Sequence, residues 1–429
     1  MALQALTSRH GGLSLAHTDV IVLGAGIVGT SIAVHLAKRG VAVALIDRRD
    51  PGEETSYGNA GIIEGNTVFP AAFPSDIGEL LRIALKRSPV ANYHLAQLPW
   101  VAPWLLAFRA ASKPARLVET ATLMRPLLAR AVAEHEALAA EAGAQSHLSH
   151  RGWLKLYRTN KAFAALAPEL ELAARFGIAN VPLDRGGAQA LEPALAGVFR
   201  HAVHWTGAVS VNNPLALTRA YAARFAALGG LSLAGDARTL HRAHPYWRVD
   251  TSAGPVDGRD VVIALGPWTP DVIAPLGIKL PLAVKRGYHR HYRAAGNATL
   301  SRPVLDTENG YVLAPMEQGI RLTTGVEFAA RDASSTPVQF GRLLPAARAL
   351  FPLGEAVEPK PWLGARPCFA DSRPVIARAP RQRGLWLAYG HAHWGLTLGP
   401  VTGRLIAEMM TGTTPFCDPK PYSAERFTN

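Results

Sequence analysis

The hydrophobic pattern at the start of the chain predicts a β-α-β unit. Residues 19–23 form a short apolar run typical of a buried strand, and the segment SIAVHLAKRG that follows has helical periodicity and closes at Gly40. Residues 41–47 form a second apolar strand, and we expect a polar, Gly-containing loop over residues 48–66. No such pattern exists in residues 1–18, and we expect them to form a mobile tail.

The middle of the chain changes between helical and strand spacing. Residues 76–141 combine helical apolar spacing with Pro and Trp and predict several helices, one of them over LPWVAPWLLAFRAA. The segment RGWLKLYR alternates as a strand, and NGYVLAPMEQ and GIRLTTGVEFA flank a turn at Gln318 and Gly319, which predicts a hairpin. These strands indicate a mostly antiparallel sheet.

The order of the segments predicts an α/β protein with two discontinuous domains. The segment DVVIALGPW is another buried strand, and residues 384–412 predict a strand, a Gly-rich turn and a helix. Hairpin-rich and helix-rich segments interrupt these Rossmann-like pieces. We therefore predict a Rossmann-type domain and a substrate domain built on the antiparallel sheet, with these bounds: 19–92, 205–278 and 354–429 for the first, and 93–204 and 279–353 for the second.

Composition narrows the classes of protein. No apolar run reaches the roughly 20 residues that a spanning helix needs, and the net charge of +13 is carried by scattered arginines rather than a basic run with aromatics. We expect neither a membrane span nor nucleic-acid binding. Two cysteines, Cys368 and Cys417, predict neither a disulfide framework nor a metal site. Residues 1–18 lack a secretory h-region, so we expect a cytoplasmic protein.

A glycine motif follows the first predicted strand and indicates dinucleotide binding. Gly24, Gly26 and Gly29 form G-A-G-I-V-G, with Ile27 and Val28 between them, at the start of the predicted helix. The glycines allow a tight turn, close approach of a pyrophosphate and close packing of helix on strand. Asp47 ends the next strand at the spacing expected for a ribose-binding acid.

The chain resembles the D-amino acid oxidase superfamily of flavoproteins, most closely its bacterial D-amino acid dehydrogenase small-subunit type, over nearly its whole length. The resemblance rests on the glycine motif, on ETSYGNAG (54–61), on KRGY (285–288), and on GARPCFADSRP (364–374) followed by YGHAHWGLTLGP. One departure occurs at Asp371 and Ser372, where the family usually has Asp-Gly.

The resemblance implies an FAD-binding protein. A cysteine attaches the flavin covalently in the sarcosine oxidase branch, but Cys368 does not match its context, so we expect non-covalent FAD. The C-terminal helix would direct its N–H groups to the N1–C2=O edge of the flavin. Beyond the glycine motif and Asp47, the expected cofactor-binding residues are Arg48, Thr55, Ser56, Asn59, Ala60, Gly61, Gly266, Gly390, His391, Gly395, Leu396 and Thr397.

Four residues are candidates for the reacting end. Arg366 matches the carboxylate-binding arginine of relatives such as glycine oxidase, and its alternative role is an ion pair between domains. Tyr311 and Tyr288 could contact the substrate or could simply pack with satisfied hydroxyls. His391, like His393, flanks the flavin turn and could tune the flavin or gate the substrate.

The resemblance implies oxidation of the C–N bond of a D-amino acid or related amine acid, with electrons passing to a quinone-type acceptor. Open alternatives are an oxygen-dependent oxidase of the glycine or sarcosine type, a flavin-bearing subunit that needs a partner, and a basic tRNA-modifying flavoprotein. The aromatic stretch from Trp100 to Phe108 is either a packed helix or an interfacial helix. The second alternative would place the protein on the inner face of the cytoplasmic membrane.

Overall fold

The computed structural model describes residues 16–65 and 69–427. Its α-helices, in chain order, are α1 (Ile27–Ala37), α2 (Ile77–Ala84), α3 (Leu98–Ala111), α4 (Pro114–Glu141), α5 (Asn160–Ala164), α6 (Ala167–Arg175), α7 (Arg185–Leu191), α8 (Pro214–Ala227), α9 (Thr269–Ile273), α10 (Val338–Leu350) and α11 (Gly395–Met410). Short 3₁₀ turns lie at Leu95–Gln97, Gln145–His147, Ala237–Thr239, Gly266–Trp268, Lys420–Tyr422 and Ala424–Phe427.

The strands of the described residues form three sheets. In chain order they are β1 (Ala16–Leu23), β2 (Val43–Asp47), β3 (Ile62–Ile63), β4 (Ala91–Tyr93), β5 (Leu148–Ser149), β6 (Trp153–Tyr157), β7 (Asn180–Asp184), β8 (His201–Trp205), β9 (Val209–Val211), β10 (Leu231–Ala234), β11 (His241–Ala243), β12 (Tyr246–Thr251), β13 (Gly254–Ile263), β14 (Leu282–Ala294), β15 (Val304–Asp306), β16 (Tyr311–Met316), β17 (Gly319–Thr323), β18 (Val326–Phe328), β19 (Leu353–Ala356), β20 (Trp362–Phe369), β21 (Val375–Arg378) and β22 (Leu385–Tyr389).

The first sheet has a parallel centre in the order β10-β2-β1-β13, and β22 continues it beside β13. Its central strand β1 is buried on both faces from Val20 to Leu23. Val20 and Val22 of β1 belong to the hydrophobic cluster under α1, α8 and α11, whereas Ile21 and Leu23 belong to the cluster on the opposite face. Alternate side chains of one strand thus enter two cores, which explains the unbroken apolar run in its sequence.

The second sheet has eleven strands and is mostly antiparallel. Its order is β4-β18-β14-β17-β16-β15-β6-β8-β7, and β19 and β20 also pair with β14. Two of its pairings, β15 with β6 and β18 with β4, are parallel. The predicted fold class, a Rossmann-type domain with a mostly antiparallel second sheet, is confirmed.

Several predicted elements are confirmed within a few residues. The hairpin of β16 and β17 turns between Met316 and Gly319. RGWLKLYR contains β6, and the predicted aromatic helix is α3. The strand, turn and helix at the C-terminal end are β22 and α11, with Gly390 between them at a φ of 84°. Local periodicity therefore located these elements correctly.

Two sequence-based boundaries are wrong. Residues 16–18 of the predicted tail belong to β1, because Ala16 to Thr18 continue its parallel pairing with Val256 to Gly258. Residues 1–15 lie outside the described part of the chain. The polar loop expected over 48–66 contains β3, which pairs with β9 in a small third sheet.

The division into domains stays a prediction. The first sheet takes strands from each of the three segments assigned to the Rossmann-type domain. β19 and β20 pair with β14 in the second sheet, although their residues fall largely in the segment 354–429 assigned to the first domain. Local periodicity does not depend on which distant strand a segment pairs with. The sequence therefore did not predict that β19 and β20 pair in the second sheet.

Candidate active site

The turn between β1 and α1 has room only for glycine at two positions. Gly24 has a φ of 104°, and a Cβ there would lie 2.6 Å from the carbonyl oxygen of Ala264. A Cβ on Gly29 would lie 1.8 Å from the carbonyl oxygen of Gly24. Gly26 caps α1 and lines a cavity above the turn. The glycines therefore bring the strand, the helix N-terminus and the cavity floor into close contact, as the motif predicted.

Asp47 stands at the end of β2 and is held by backbone N–H groups. One carboxylate oxygen accepts a hydrogen bond of 2.6 Å from Ala25, and the other accepts one of 3.2 Å from Arg49. Beside it, the guanidinium of Arg48 lies 4.7 Å from the ring centroid of Trp268, and that of Arg331 lies 5.7 Å from it. Trp268 and Arg331 were not predicted, because separate segments bring them to this site.

A cavity of about 1450 Å³ runs from this turn to one face of the second sheet. Most predicted cofactor residues line it, namely Gly24, Gly26, Ile27, Val28, Asp47, Arg48, Thr55, Ser56, Asn59, Ala60, Gly266, His391, Gly395 and Leu396. These residues come from three distant parts of the chain. The cavity joins them into one continuous site.

Four other predicted cofactor residues shape the wall without lining the cavity. Gly29 packs on Gly24, and a Cβ on Gly61 would lie 2.2 Å from the carbonyl oxygen of Val211. A Cβ on Gly390 would lie 2.2 Å from the ring of Phe369. Thr397 donates a hydrogen bond of 3.1 Å to the carbonyl of Ile62. These four residues support the wall of the cavity, and their contact with the cofactor stays a prediction.

The turn between β22 and α11 closes one end of the cavity. Gly395 and Leu396, in the first turn of α11, line the cavity, so the positive end of the helix dipole faces it. His391 also lines the cavity, and its Nε2 lies 3.0 Å from the hydroxyl of Thr402. Burial lowers the pKa of His391 to about 3, so the imidazole is neutral at physiological pH.

Arg366 lies in the cavity wall on β20. Its Nη1 is 3.3 Å from the carbonyl of Gly325, and among the described residues no carboxylate lies within ion-pair distance of it. Burial lowers the pKa of its guanidinium from the ordinary value. A guanidinium nevertheless remains charged in proteins, so the wall holds a cation available to an anionic ligand. The alternative role of an interdomain ion pair has no partner in the described chain.

Gly287 makes room for Arg366. It faces Gly364 across the pairing of β14 with β20, and a Cβ on Gly287 would lie 2.6 Å from Nη2 of Arg366. No positive φ requires glycine here. The glycine of the KRGY segment is therefore explained by the space that the guanidinium occupies.

Two predicted tyrosines have other roles. Tyr311 points into the core of the second sheet, where its hydroxyl donates a hydrogen bond of 3.2 Å to Ala346, while its neighbour Val312 lines the cavity. Successive side chains of a strand face opposite sides, so Tyr311 lies away from the cavity lining, in contrast to the substrate contact expected from the sequence. Tyr288 borders the cavity, but its hydroxyl donates to Glu327 at 2.8 Å and accepts from the N–H of Thr336.

Several side chains of the wall were missed. Trp362 packs over Gly58 and Gly364, and its ring stacks on His289 with centroids 4.8 Å apart. Lys155 of β6 donates a hydrogen bond of 3.0 Å to Glu169, and both line the cavity. The strand register puts Lys155 opposite Leu305, Leu305 opposite Val312 and Val312 opposite Thr323, which forms one lining row. Only the register reveals this row.

The helix α3 is packed along one stripe, and its interfacial alternative stays a prediction. Val101, Trp104 and Phe108 are buried, and the indole of Trp104 donates a hydrogen bond of 3.0 Å to the carbonyl of Cys368. Trp100 and Leu106 are exposed. The spacing of the buried residues gives one packed stripe, and Leu98 and Leu105 are partly buried against the same cluster.

The residues present fit the predicted FAD. The glycine cradle excludes any Cβ at Gly24 and Gly29, the N-terminus of α1 faces the cavity, and Asp47 is fixed at the ribose position. The cavity also extends to the turn before α11, as a ligand with a second ring system requires. In the described part of the chain, no three His, Cys, Asp or Glu side chains are grouped as a metal site.

Comparison with known proteins agrees with this geometry. The family model DAO, described as FAD dependent oxidoreductase, matches residues 19–409. The chain is 30% identical to a D-amino acid dehydrogenase of Paramagnetospirillum magneticum, over 96% of this chain and 99% of that relative. It is 28% identical to a D-amino-acid oxidase of Bradyrhizobium diazoefficiens, over 95% of this chain and 98% of that relative.

Among solved structures, glycine oxidase from Geobacillus kaustophilus superposes with a TM-score of 0.73 at 25% identity, covering 95% of this chain and 98% of that one. The L-proline dehydrogenase from P. horikoshii gives a TM-score of 0.70 at 19% identity, covering 96% and 98%. The second likeness concerns the fold alone.

Proposed function

Because this chain belongs to the DAO family of FAD-dependent oxidoreductases, we propose that it oxidises the carbon–nitrogen bond of an amino acid. The proposed substrate is a D-amino acid or a related acid that carries an amine. The observation that carries the proposal is Arg366, a cation in the cavity wall without a carboxylate partner among the described residues. Its guanidinium is suited to bind a substrate carboxylate through two parallel hydrogen bonds.

The chain's own residues would bind and orient the substrate. When bound, FAD supplies the hydride acceptor for the oxidation. Arg366 would fix the carboxylate, and the lining row from Thr323 to Leu305 would contact the remainder of the molecule. The first turn of α11 presents a positive potential at the end of the cavity. Orientation and electrostatics would therefore provide most of the rate acceleration.

Anaerobic reduction of the bound flavin tests the proposed reaction. A panel of D-amino acids, L-amino acids and N-methyl amines is mixed with the holoenzyme, and bleaching of the visible flavin band is followed. We expect D-amino acids to bleach the flavin, in keeping with the names of relatives such as that from Dechloromonas aromatica. Bleaching by L-amino acids alone would contradict the proposed stereochemistry. If no compound of the panel bleaches the flavin, the proposed reaction is refuted.

The FAD should be bound without a covalent link. Cys368 is buried with Val101, Trp104 and Phe108 under α3, and it does not line the cavity. Acid precipitation of the purified protein should therefore release the yellow colour into the supernatant as FAD, measured by absorbance and chromatography. Colour retained in the pellet would contradict this prediction.

We propose a quinone-type electron acceptor, as the dehydrogenase names of relatives suggest. The oxidase name of the Bradyrhizobium relative and the glycine oxidase structure favour oxygen as the second candidate. Pre-reduced enzyme is mixed either with air-saturated buffer or with an anaerobic quinone analogue, and flavin reoxidation is timed. We expect faster reoxidation by the quinone. Rapid reoxidation by oxygen with stoichiometric hydrogen peroxide would establish the oxidase instead.

A peripheral membrane contact would bring the protein to such an acceptor. No helix of the described residues combines the length and hydropathy needed to cross a bilayer. On α2 and at its C-terminal end, however, Ile77, Leu81 and Leu85 are exposed by 74%, 58% and 62%, at a spacing of four residues. Such an apolar stripe beside basic residues is typical of interfacial helices, and Arg82 and Arg87 are exposed nearby.

Vesicle binding tests this contact. The protein should co-sediment with vesicles containing anionic phospholipid, and the double variant Ile77→Ser, Leu81→Ser should lose most of this binding because the apolar stripe is removed. The exposed Val357, on another part of the chain, supplies the control variant Val357→Ser. Equal sedimentation of both variants would argue against docking through α2.

A further inference from the structure

His393 lies in a fixed turn at the reacting end of the cavity. It follows β22, precedes α11 and lines the same cavity as Arg366. The residue before it, Ala392, has a φ of 52°, and its N–H donates a hydrogen bond of 2.9 Å to the carbonyl of Pro367. Left-handed backbone is uncommon for alanine, so the turn is held in this shape by its surroundings.

The ring of His393 has no hydrogen-bond partner among the described residues. It packs against the ring of Trp394, with centroids 4.5 Å apart. His391, two residues earlier, differs because its Nε2 is engaged with Thr402. A neutral imidazole offers one donor and one acceptor. In the wall of a cavity, both groups of His393 are available to a ligand.

Three cations, each on a different strand, act electrostatically on this ring. Burial, together with the positive charges of Arg366, Lys285 and Lys155, lowers the pKa of His393 to about 3. The acids that border the same cavity include Glu169, which is paired with Lys155, and Glu64, which has an interaction of its own within the chain. The neighbouring His391 is neutral as well. The imidazole of His393 therefore stays uncharged from mildly acidic to alkaline pH.

We propose that His393 is a further catalytic residue, a neutral imidazole that accepts a hydrogen bond from the amino group of the substrate while Arg366 holds the carboxylate. This inference rests on the proposed function, because it requires a substrate that carries both groups.

The charges around His393 also select the protonation state of the substrate. A zwitterionic amino acid would bring its ammonium into a cavity whose wall holds Arg366 and Lys155, whereas the anionic form brings an uncharged amine. The ammonium proton is thus released to solvent before binding. FAD, when bound, would supply the acceptor for the hydride that leaves Cα, and the nitrogen lone pair would form the C=N bond. By accepting one N–H, His393 would orient that lone pair.

Two ligands that cannot be oxidised isolate the amine contact. 2-Aminoisobutyrate has no hydrogen on Cα, and isobutyrate lacks the amino group. Their dissociation constants for the holoenzyme are measured from the visible flavin spectrum between pH 6 and 9. Only the form with a neutral amine should bind. At pH values below the amine pKa, the dissociation constant of 2-aminoisobutyrate should therefore decrease about tenfold for each unit by which the pH is raised. Isobutyrate should bind equally across this range, and identical flat profiles for both ligands would overturn the inference.

Variants of His393 complete the test. His393→Leu should weaken binding of 2-aminoisobutyrate about tenfold, as expected for one lost hydrogen bond, and leave isobutyrate unchanged. His393→Asn or His393→Gln, which can accept a hydrogen bond, should restore part of the affinity. Equal affinity of the leucine variant and the wild type for 2-aminoisobutyrate would refute the role of His393. The wild-type pH profiles test the inference even where a variant loses its fold.

The two proposals fail in different ways. If amino acids bleach the flavin but the two ligands show no difference in pH dependence, the reaction stands and the role of His393 falls. If no amino acid bleaches the flavin while both ligands bind, the proposed oxidation falls.

Discussion

Replacing Arg366 with lysine is expected to raise KM for a carboxylate-bearing substrate about a hundredfold, because an ammonium cannot reproduce the two parallel hydrogen bonds of a guanidinium. The effect should be large because the cavity wall is partly shielded from water, which strengthens the attraction between the charges. KM is measured from initial rates with an artificial electron acceptor. A substrate analogue in which the carboxylate is missing should show a much smaller change.

Two variants serve as controls for this prediction. Arg378→Lys changes an exposed arginine that stacks on Trp386 outside the cavity and should leave KM unchanged. Gly287→Ala leaves Arg366 in the sequence but places a methyl group where its guanidinium lies, so KM should rise in the same direction. Equal losses for substrates with and without a carboxylate would instead indicate that Arg366 supports the fold.

The substitution Glu327→Gln is expected to lower the free energy of unfolding by about 3–5 kcal/mol, because it leaves a buried charge without its partner. Glu327 and Arg286 have fully buried side chains, and their closest charged atoms are 2.9 Å apart. Glu327 also accepts hydrogen bonds from Tyr288 and from Asn92. An amide carries no charge to offset the guanidinium. Urea unfolding followed by fluorescence measures the change.

An exposed ion pair provides the matched control. Arg116 and Glu119 are paired on the surface of α4, with 66% and 48% of their side chains exposed. Glu119→Gln should change the free energy of unfolding by less than about 1 kcal/mol, since water already solvates both charges. If Glu327→Gln were as mild as this control, the buried pair would contribute little to the stability of the second sheet.

The hydrogen bonding around Glu327 also explains the role of Tyr288. Its hydroxyl donates to Glu327 and accepts from Thr336, so both of its hydrogen-bonding functions are used inside the protein. A tyrosine engaged in this way stabilises the wall of the cavity. The sequence suggested a substrate contact because the KRGY segment lies beside the site, and this proximity is real although the hydroxyl has another partner.

The sequence by itself determined the features that depend on neighbouring residues. The glycine motif fixes a turn in which Gly24 has a positive φ and a Cβ on Gly29 would meet the carbonyl oxygen of Gly24, and both constraints act within six residues. Strand and helix periods located β1, α1, β2 and α11, because burial on one or both faces imposes a repeat on the local sequence. Arg366 was found from the segment around it, which resembles a known family.

Only the tertiary structure decided which side chains meet. Tyr311 and Val312 are adjacent in sequence, yet the pleat of β16 sends one into the core and the other to the cavity. Register across four strands lines up Lys155 with Thr323, and the turn before α11 brings His393 under the influence of Lys155 and Arg366. These positions are far apart in the chain, so their shared charge and hydrogen-bonding environment arises from strand pairing and packing, which a local sequence pattern does not encode.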